Sequence, residues 1–224
     1  MLLDKTIRKN LDGEYIVIHA NQLKEGTEYA KHLKIAQIQI RGFLGHENTE
    51  SKVDFKEFEK LSDYLKIISL STIENVANVE SIYSLQNLEK IYLEKQKFSI
   101  NISNFHKIKH LGSEYWKGLV NFNEAYSLQS LVLTKFPDTN LLELSKLQNL
   151  KVLHVYNSKI ETLDGIENLP LEELALVKNN SLENIHAIKK MEMLKELLIE
   201  KCKKIDDYEF IEEMKGRVSV RIIK

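Results

Sequence analysis

Seven histidines and one cysteine are the side chains here best suited to proton transfer, metal ligation or nucleophilic attack. His106 and His110 stand four apart, a separation that on a helix lets two imidazoles share a metal ion. They instead straddle a turn-like stretch and the start of an extended one, with no third ligand nearby. Cys202 falls in a structural column of the repeat described below, which accounts for it without a nucleophilic role. The acidic pairs Glu172-Glu173, Asp206-Asp207 and Glu212-Glu213 lie in charge-rich stretches that read as solvated surface. Gly-x-x-x-x-Gly-Lys and Gly-x-Ser-x-Gly are both absent. These residues predict no enzyme, no metal and no cofactor. The alternative is a catalytic site in the irregular N-terminal part, around His19, His32 and His46, which would need a pocket and two convergent polar groups.

Composition narrows the classes further. The 224 residues are 43% hydrophobic and 29% charged, a globular balance sufficient for one elongated domain or two small ones. Only 8 Gly and 2 Pro are present, which disfavours Gly-rich phosphate loops and Pro-rich linkers. The 32 basic and 33 acidic residues leave a formal charge of -1, so no bulk positive field exists to gather nucleic acid or anionic lipid. Lys107, Lys109, His110 and Lys117 are too few for a basic stripe. Apolar runs such as 15–18 are strand-length, far below the roughly 18 residues of a membrane span. The stretch 1–10 loses its apolar character after three residues, so no export signal is expected. A single cysteine precludes an intrachain disulfide, and the expected compartment is the cytoplasm.

The elements that would position any functional side chain follow from an internal period. Leu150-x-x-Leu153-x-Val155 recurs with the same spacing from Leu65, Leu88, Leu128, Leu171 and Leu194. Successive first positions 65, 88, 128, 150, 171 and 194 differ by 23, 40, 22, 21 and 23, and the interval of 40 holds a degenerate copy, Ile108-x-x-Leu111-x-Ser113. Alternating apolar places inside each copy predict a short strand with one buried face. After it, Ile160, Leu163, Ile166 and Leu169 recur every three residues, the spacing of a 3-10 or short helical return. One such coil cannot bury its apolar face alone, so neighbours must stack.

These copies resemble the leucine-rich repeat, L-x-x-L-x-L-x-x-N/C-x-L, and the returns resemble those of bacterial internalin-like proteins. The best match is 147–160, and the resemblance covers about 65–224. It implies an α/β leucine-rich-repeat solenoid, with a curved parallel sheet on the concave face, 3-10 or short helical returns on the convex face, and atypical caps at both ends. The N/C place is Asn179 and Cys202 in two copies but Ile73, Gln96, Trp116, Phe136 and Ser158 elsewhere, which predicts an irregular spine. Residues 1–64 are read as an N-terminal cap with irregular first repeats and 65–224 as the solenoid with its C-terminal cap, together one continuous domain.

The cap readings are local. Strands are predicted at 15–19 and 35–40, with a return helix at 22–33 weakened by Gly26. Ser51-x-x-Asp54 reads as a capping box before an α-helix bearing Phe55, Phe58 and Leu61. An amphipathic helix at 207–214 and a charged edge strand at 218–222 close the C-terminus.

The partner surface is read from the strand places that face outward. The fifth and seventh places carry Tyr92, Glu94, Val132, His154, Tyr156, Val177, Leu198 and Glu200, an apolar and aromatic stripe where a bare solvated sheet would be mainly Lys, Glu, Ser and Thr. Tyr115 and Trp116 extend it unless Trp116 sits in the spine, where it would be core. The expected function is non-catalytic binding of a partner protein by a monomer, with a cytoplasmic toxin-neutralising immunity protein as one role such a module fits.

Overall fold

The computed structural model describes residues 3–43 and 52–224. By contact density the chain forms two units: one runs to Lys109 and includes Trp116–Val120, and the other comprises His110–Tyr115 and Asn121–Lys224.

In the first unit, strand Arg8–Asn10 pairs antiparallel with Gly13–His19. Gly13–His19, Gln37–Arg41, Ile67–Leu70 and Lys90–Leu93 then follow as parallel neighbours in register. The expected N-terminal strands and return helix are present, the helix spanning Leu23–Leu33. Gly26 is required there: a Cβ on it would stand 2.4 Å from Ile18 Cγ2, so the residue with low helix propensity is what lets helix and strand touch.

One expectation is corrected. Phe55–Leu61 is a 3-10 helix, not an α-helix. Its three buried residues, Phe55, Phe58 and Leu61, recur at a strict spacing of three, which a three-residue turn stacks on one edge and a 3.6-residue turn does not. Asp54 is itself the N-cap, accepting from Lys56 N at 3.0 Å. The other half of the expected capping box, Ser51, lies outside the described residues, as does His46.

The second unit is the regular one. Strands His110–Glu114, Ser130–Thr134, Val152–Tyr156, Glu173–Val177, Glu196–Glu200 and Ser219–Ile223 are parallel, and each pairs with the next without slippage. The degenerate copy keeps the register, with Leu111 and Ser113 buried beside Leu131 and Leu133. The returns include the 3-10 segments Phe122–Glu124, Leu142–Leu144 and His186–Lys190. Glu209–Met214 is a short cap helix burying Phe210, Ile211 and Met214.

Strand ends are turned by a residue with positive φ in four successive coils, Lys135, Asn157, Lys178 and Lys201. Each directs its N–H to the last carbonyl of the next strand, at 2.7 to 3.0 Å. The pairing thereby extends one residue past every strand, which offsets the left-handed conformation of three lysines.

The spine is more regular than the residue types predict. Asn179 is fully buried, accepts from Ser158 N at 2.9 Å and donates to Val155 O at 2.9 Å. Ser158 supplies the accepting half of this link one coil earlier, taking the Phe136 N–H at 3.0 Å, while its hydroxyl donates within its own coil to Tyr156 O at 3.0 Å. Gln96 accepts from Ile73 N at 3.1 Å and donates across to Ser71 O at 3.1 Å, so its longer side chain replaces asparagine. Where a bulky residue takes the place, packing substitutes. Phe136 meets Tyr115 edge-on at 5.5 Å, and Trp116 is core, donating from Nε1 to Phe98 O at 2.9 Å. Cys202 Sγ donates to Leu176 O at 3.4 Å, and burial holds its thiol above the ordinary value, which fits a structural group and not a thiolate.

A charge ladder runs along the start of the strands. Glu172, the second place of its copy, bridges Lys151 at 2.9 Å and also Lys195. Hydrogen bonds from both lysines lower its carboxyl to about 2. Glu89 repeats the motif between Lys66 and Lys109. Glu172 therefore favours the folded state above the usual carboxylate range, and that contribution is lost as pH falls toward the lowered value.

Candidate protein-binding face

In every strand of the second unit the residues alternate between the core and the outward face. Leu131, Leu133, Leu153, Val155, Leu174, Leu176, Leu197 and Ile199 point inward and are essentially inaccessible. Val132, His154, Ala175 and Leu198 are consecutive partners across four strands on the outward face. Thr134, Tyr156, Val177 and Glu200 form a second row beside them. The structure thus brings together Val132, His154, Tyr156, Val177, Leu198 and Glu200, six of the residues expected from repeat spacing.

Tyr156 sits at the middle of this face, half-buried. Its ring meets the His154 imidazole edge-on at 6.1 Å, and its hydroxyl lies 3.3 Å from His154 Nδ1. His154 Nε2 lies 2.6 Å from Glu173 Oε1. The network is satisfied when His154 Nε2–H donates to the Glu173 carboxylate and Nδ1 accepts from the phenol, a tautomer assigned from the bonding pattern. Burial, then the Glu173 and Glu200 charges, pushes the Tyr156 phenol above its ordinary value. The phenol therefore stays protonated at neutral pH, and the network holds two large rings in one orientation. A preorganised aromatic surface of this kind loses little side-chain freedom on binding.

Tyr92 and Glu94 belong to the first unit, and each is engaged there. Burial raises the Tyr92 phenol, and Asp12 at the tip of the N-terminal hairpin adds to the effect. Asp12 also pairs with Lys90, so the hairpin tip reaches the strand that carries Tyr92. Glu94 reaches back to the preceding coil, accepting from Thr72 N at 2.9 Å. Of the histidines weighed for catalysis, His19 bonds through Nδ1 to Gly42 O at 3.1 Å, and His32 is exposed near the end of its helix. His110 Nδ1 lies 2.9 Å from Ser130 Oγ. Among the described residues no group of three His, Cys, Asp or Glu side chains is placed to hold a metal.

Three outward residues were not anticipated from the repeat. Glu173, Glu196 and Arg221 line a recess of about 210 Å³ together with His154, Tyr156, Ala175, Leu198 and Ser219. Glu173 and Glu196 hold the third place of their copies, and extending the column reading by one place finds both.

Parallel strands on one side, 3-10 returns on the other, and a buried side-chain ladder from coil to coil define the leucine-rich-repeat fold. Among solved structures the chain is similar to an internalin from Listeria monocytogenes, with a TM-score of 0.60 at 13% identity, covering 86% of this chain and 68% of that one. It is also similar to a leucine-rich-repeat protein of Leptospira interrogans, with a TM-score of 0.55 at 18% identity, covering 87% of this chain and 56% of that one. No family model matches the chain, and a search of curated proteins finds no match. No described helix is long and apolar enough to cross a membrane.

Proposed function

We propose that the protein is a non-catalytic binding module that docks a partner protein on the outward sheet face of its second unit. One observation carries the reading: Val132, His154, Tyr156, Val177 and Leu198 are contiguous and accessible, on a face whose rings are already fixed by hydrogen bonds. Contiguous apolar area centred on an oriented aromatic is the anatomy of a hot spot. The finer form of the reading is a monomer that neutralises a toxin protein in a bacterial cytoplasm by one-to-one capture. Likeness to two bacterial leucine-rich-repeat folds supports the bacterial part of this reading, and a single buried cysteine without a disulfide is compatible with a reducing compartment.

The test is affinity for a partner captured from the native lysate. Tyr156→Ala is expected to weaken the complex by roughly 1 to 4 kcal/mol in titration calorimetry, with little change in melting temperature. Lys146→Ala, an exposed change in a return, is expected to leave affinity unaltered. Equal losses from both variants, or none from Tyr156→Ala, would contradict the assignment of the face.

A further inference from the structure

We infer that the partner presents an arginine side chain to the recess between Glu173 and Glu196. This rests on the protein-binding reading above and specifies the chemistry of the partner.

The sheet holds an electrostatic conflict at the third place of two neighbouring strands. Glu173 and Glu196 are direct cross-strand partners on the same outward face. Neighbouring strands lie about 4.8 Å apart, and like charges placed opposite one another destabilise a sheet. Glu173 accepts a hydrogen bond from His154 Nε2 at 2.6 Å. Glu196 is exposed and forms no ion pair among the described residues. The nearby lysine, Lys195, is committed to Glu172 on the other row. A carboxylate left without a cation beside a second carboxylate is a local inconsistency of the kind found at binding sites.

The outward strand places carry Glu114, Glu173, Glu196, Glu200 and one cation, Arg221. Lys135 pairs with Glu114 at 3.0 Å and Lys201 with Glu200 at 3.7 Å, which leaves Glu173 and Glu196 as the two carboxylates of the face without a lysine or arginine partner among the described residues. Arg221 is in register with Leu198, one strand beyond Glu196 and two residues along it, so it forms the far wall of the recess without neutralising Glu196. Between the carboxylates and that wall lie Ala175 and Leu198, with the Tyr156 ring beside them. Acid at one side, an aliphatic floor and an aromatic flank match an arginine, whose stem covers apolar surface and whose planar guanidinium spans two carboxylates and packs on a ring. A lysine is a point charge that uses only the carboxylates.

The probe is the tripeptide acetyl-Gly-Arg-Gly-amide, titrated into the full chain with the methyls of Ala175 and Leu198 followed by NMR. The arginine peptide is expected to shift both methyls saturably. Glu196→Gln, an isosteric change at an exposed place, is expected to weaken that binding about tenfold or more, as is raising the salt. The citrulline analogue, equal in shape but uncharged, is expected to leave both methyls unmoved. Absence of a saturable shift, equal response to citrulline, equal affinity for the lysine analogue, or indifference to Glu196→Gln would each overturn the inference. The two levels separate cleanly. If Tyr156→Ala abolishes capture of the natural partner while Glu196→Gln changes nothing, the face stands and the arginine falls; if Tyr156→Ala changes nothing, the face itself falls.

Discussion

Replacing Leu153 by Asp is expected to abolish cooperative unfolding of the second unit near the wild-type midpoint. Leu153 is fully inaccessible and lies between Leu131 and Leu174 on neighbouring strands, at the centre of the inward rows. The substitution removes a packed side chain, which alone costs about 2 to 5 kcal/mol, and puts in its place a carboxylate with no partner. The carboxylate escapes by taking up a proton or by opening the coil, and either adds to the loss. In a solenoid each coil is held mainly by its two neighbours, so opening one removes support from both. Thermal unfolding followed by circular dichroism reads the effect directly. A variant melting within about one degree of the parent would show that the register of the strands is wrong.

Gly165→Ala is expected to be nearly as damaging, although it adds a single methyl. Gly165 has φ 106°, a region that residues with a Cβ rarely adopt. A Cβ built there falls 2.4 Å from Leu142 Cα and 2.6 Å from the Leu141 carbonyl, backbone atoms of the previous return. No flexible side chain can move aside to make room. Conformational strain of about 1 to 3 kcal/mol adds to overpacking of similar size, so a loss of roughly 2 to 6 kcal/mol is expected in the same unfolding experiment. Gly216, with open space around its Cβ position, is the control: Gly216→Ala should change little. Equal melting of the two variants would contradict the close stacking of returns 141–142 and 165.

Leu153 was legible in the sequence and Gly165 was not, and the difference is physical. The inward rows are set by residue type repeated at fixed spacing, so seven copies vote on each position and even the degenerate copy ending in Ser113 falls into line. The close approach at Gly165 belongs to one pair of returns and has no second copy to reveal it. The same division holds in the spine. Asn179 follows the repeat pattern, whereas Gln96 and Ser158 match it only in what their side chains can reach, which depends on chain length and backbone position. Sequence alone reads the 3-10 helix over Phe55–Leu61 as α because, over so short a span, a 3.6-residue turn still gathers apolar residues three apart on one broad face, and only their alignment on a single edge separates the two.

The outward face was legible to a similar extent. Column reading located Tyr156 and His154 together, but not the hydrogen bonds that orient their rings, and not the third-place pair Glu173 and Glu196. It also placed Tyr92 and Glu94 on the same list, although each is engaged within the first unit by contacts from segments distant in sequence. Asp12 and Lys90 are separated by 78 positions, and no periodic pattern predicts such a pair.

On the proposed reading a partner protein covers the outward sheet face of the second unit. Methyl NMR of the complex against the free protein measures this most directly, because accessible methyls lie on both sides of the unit. The methyls of Val132, Val177 and Leu198 are expected to shift or broaden on binding, while those of Leu142 and Met193, exposed in the returns, stay unchanged. Perturbation confined to Leu142 and Met193, with Val132, Val177 and Leu198 unmoved, would contradict it.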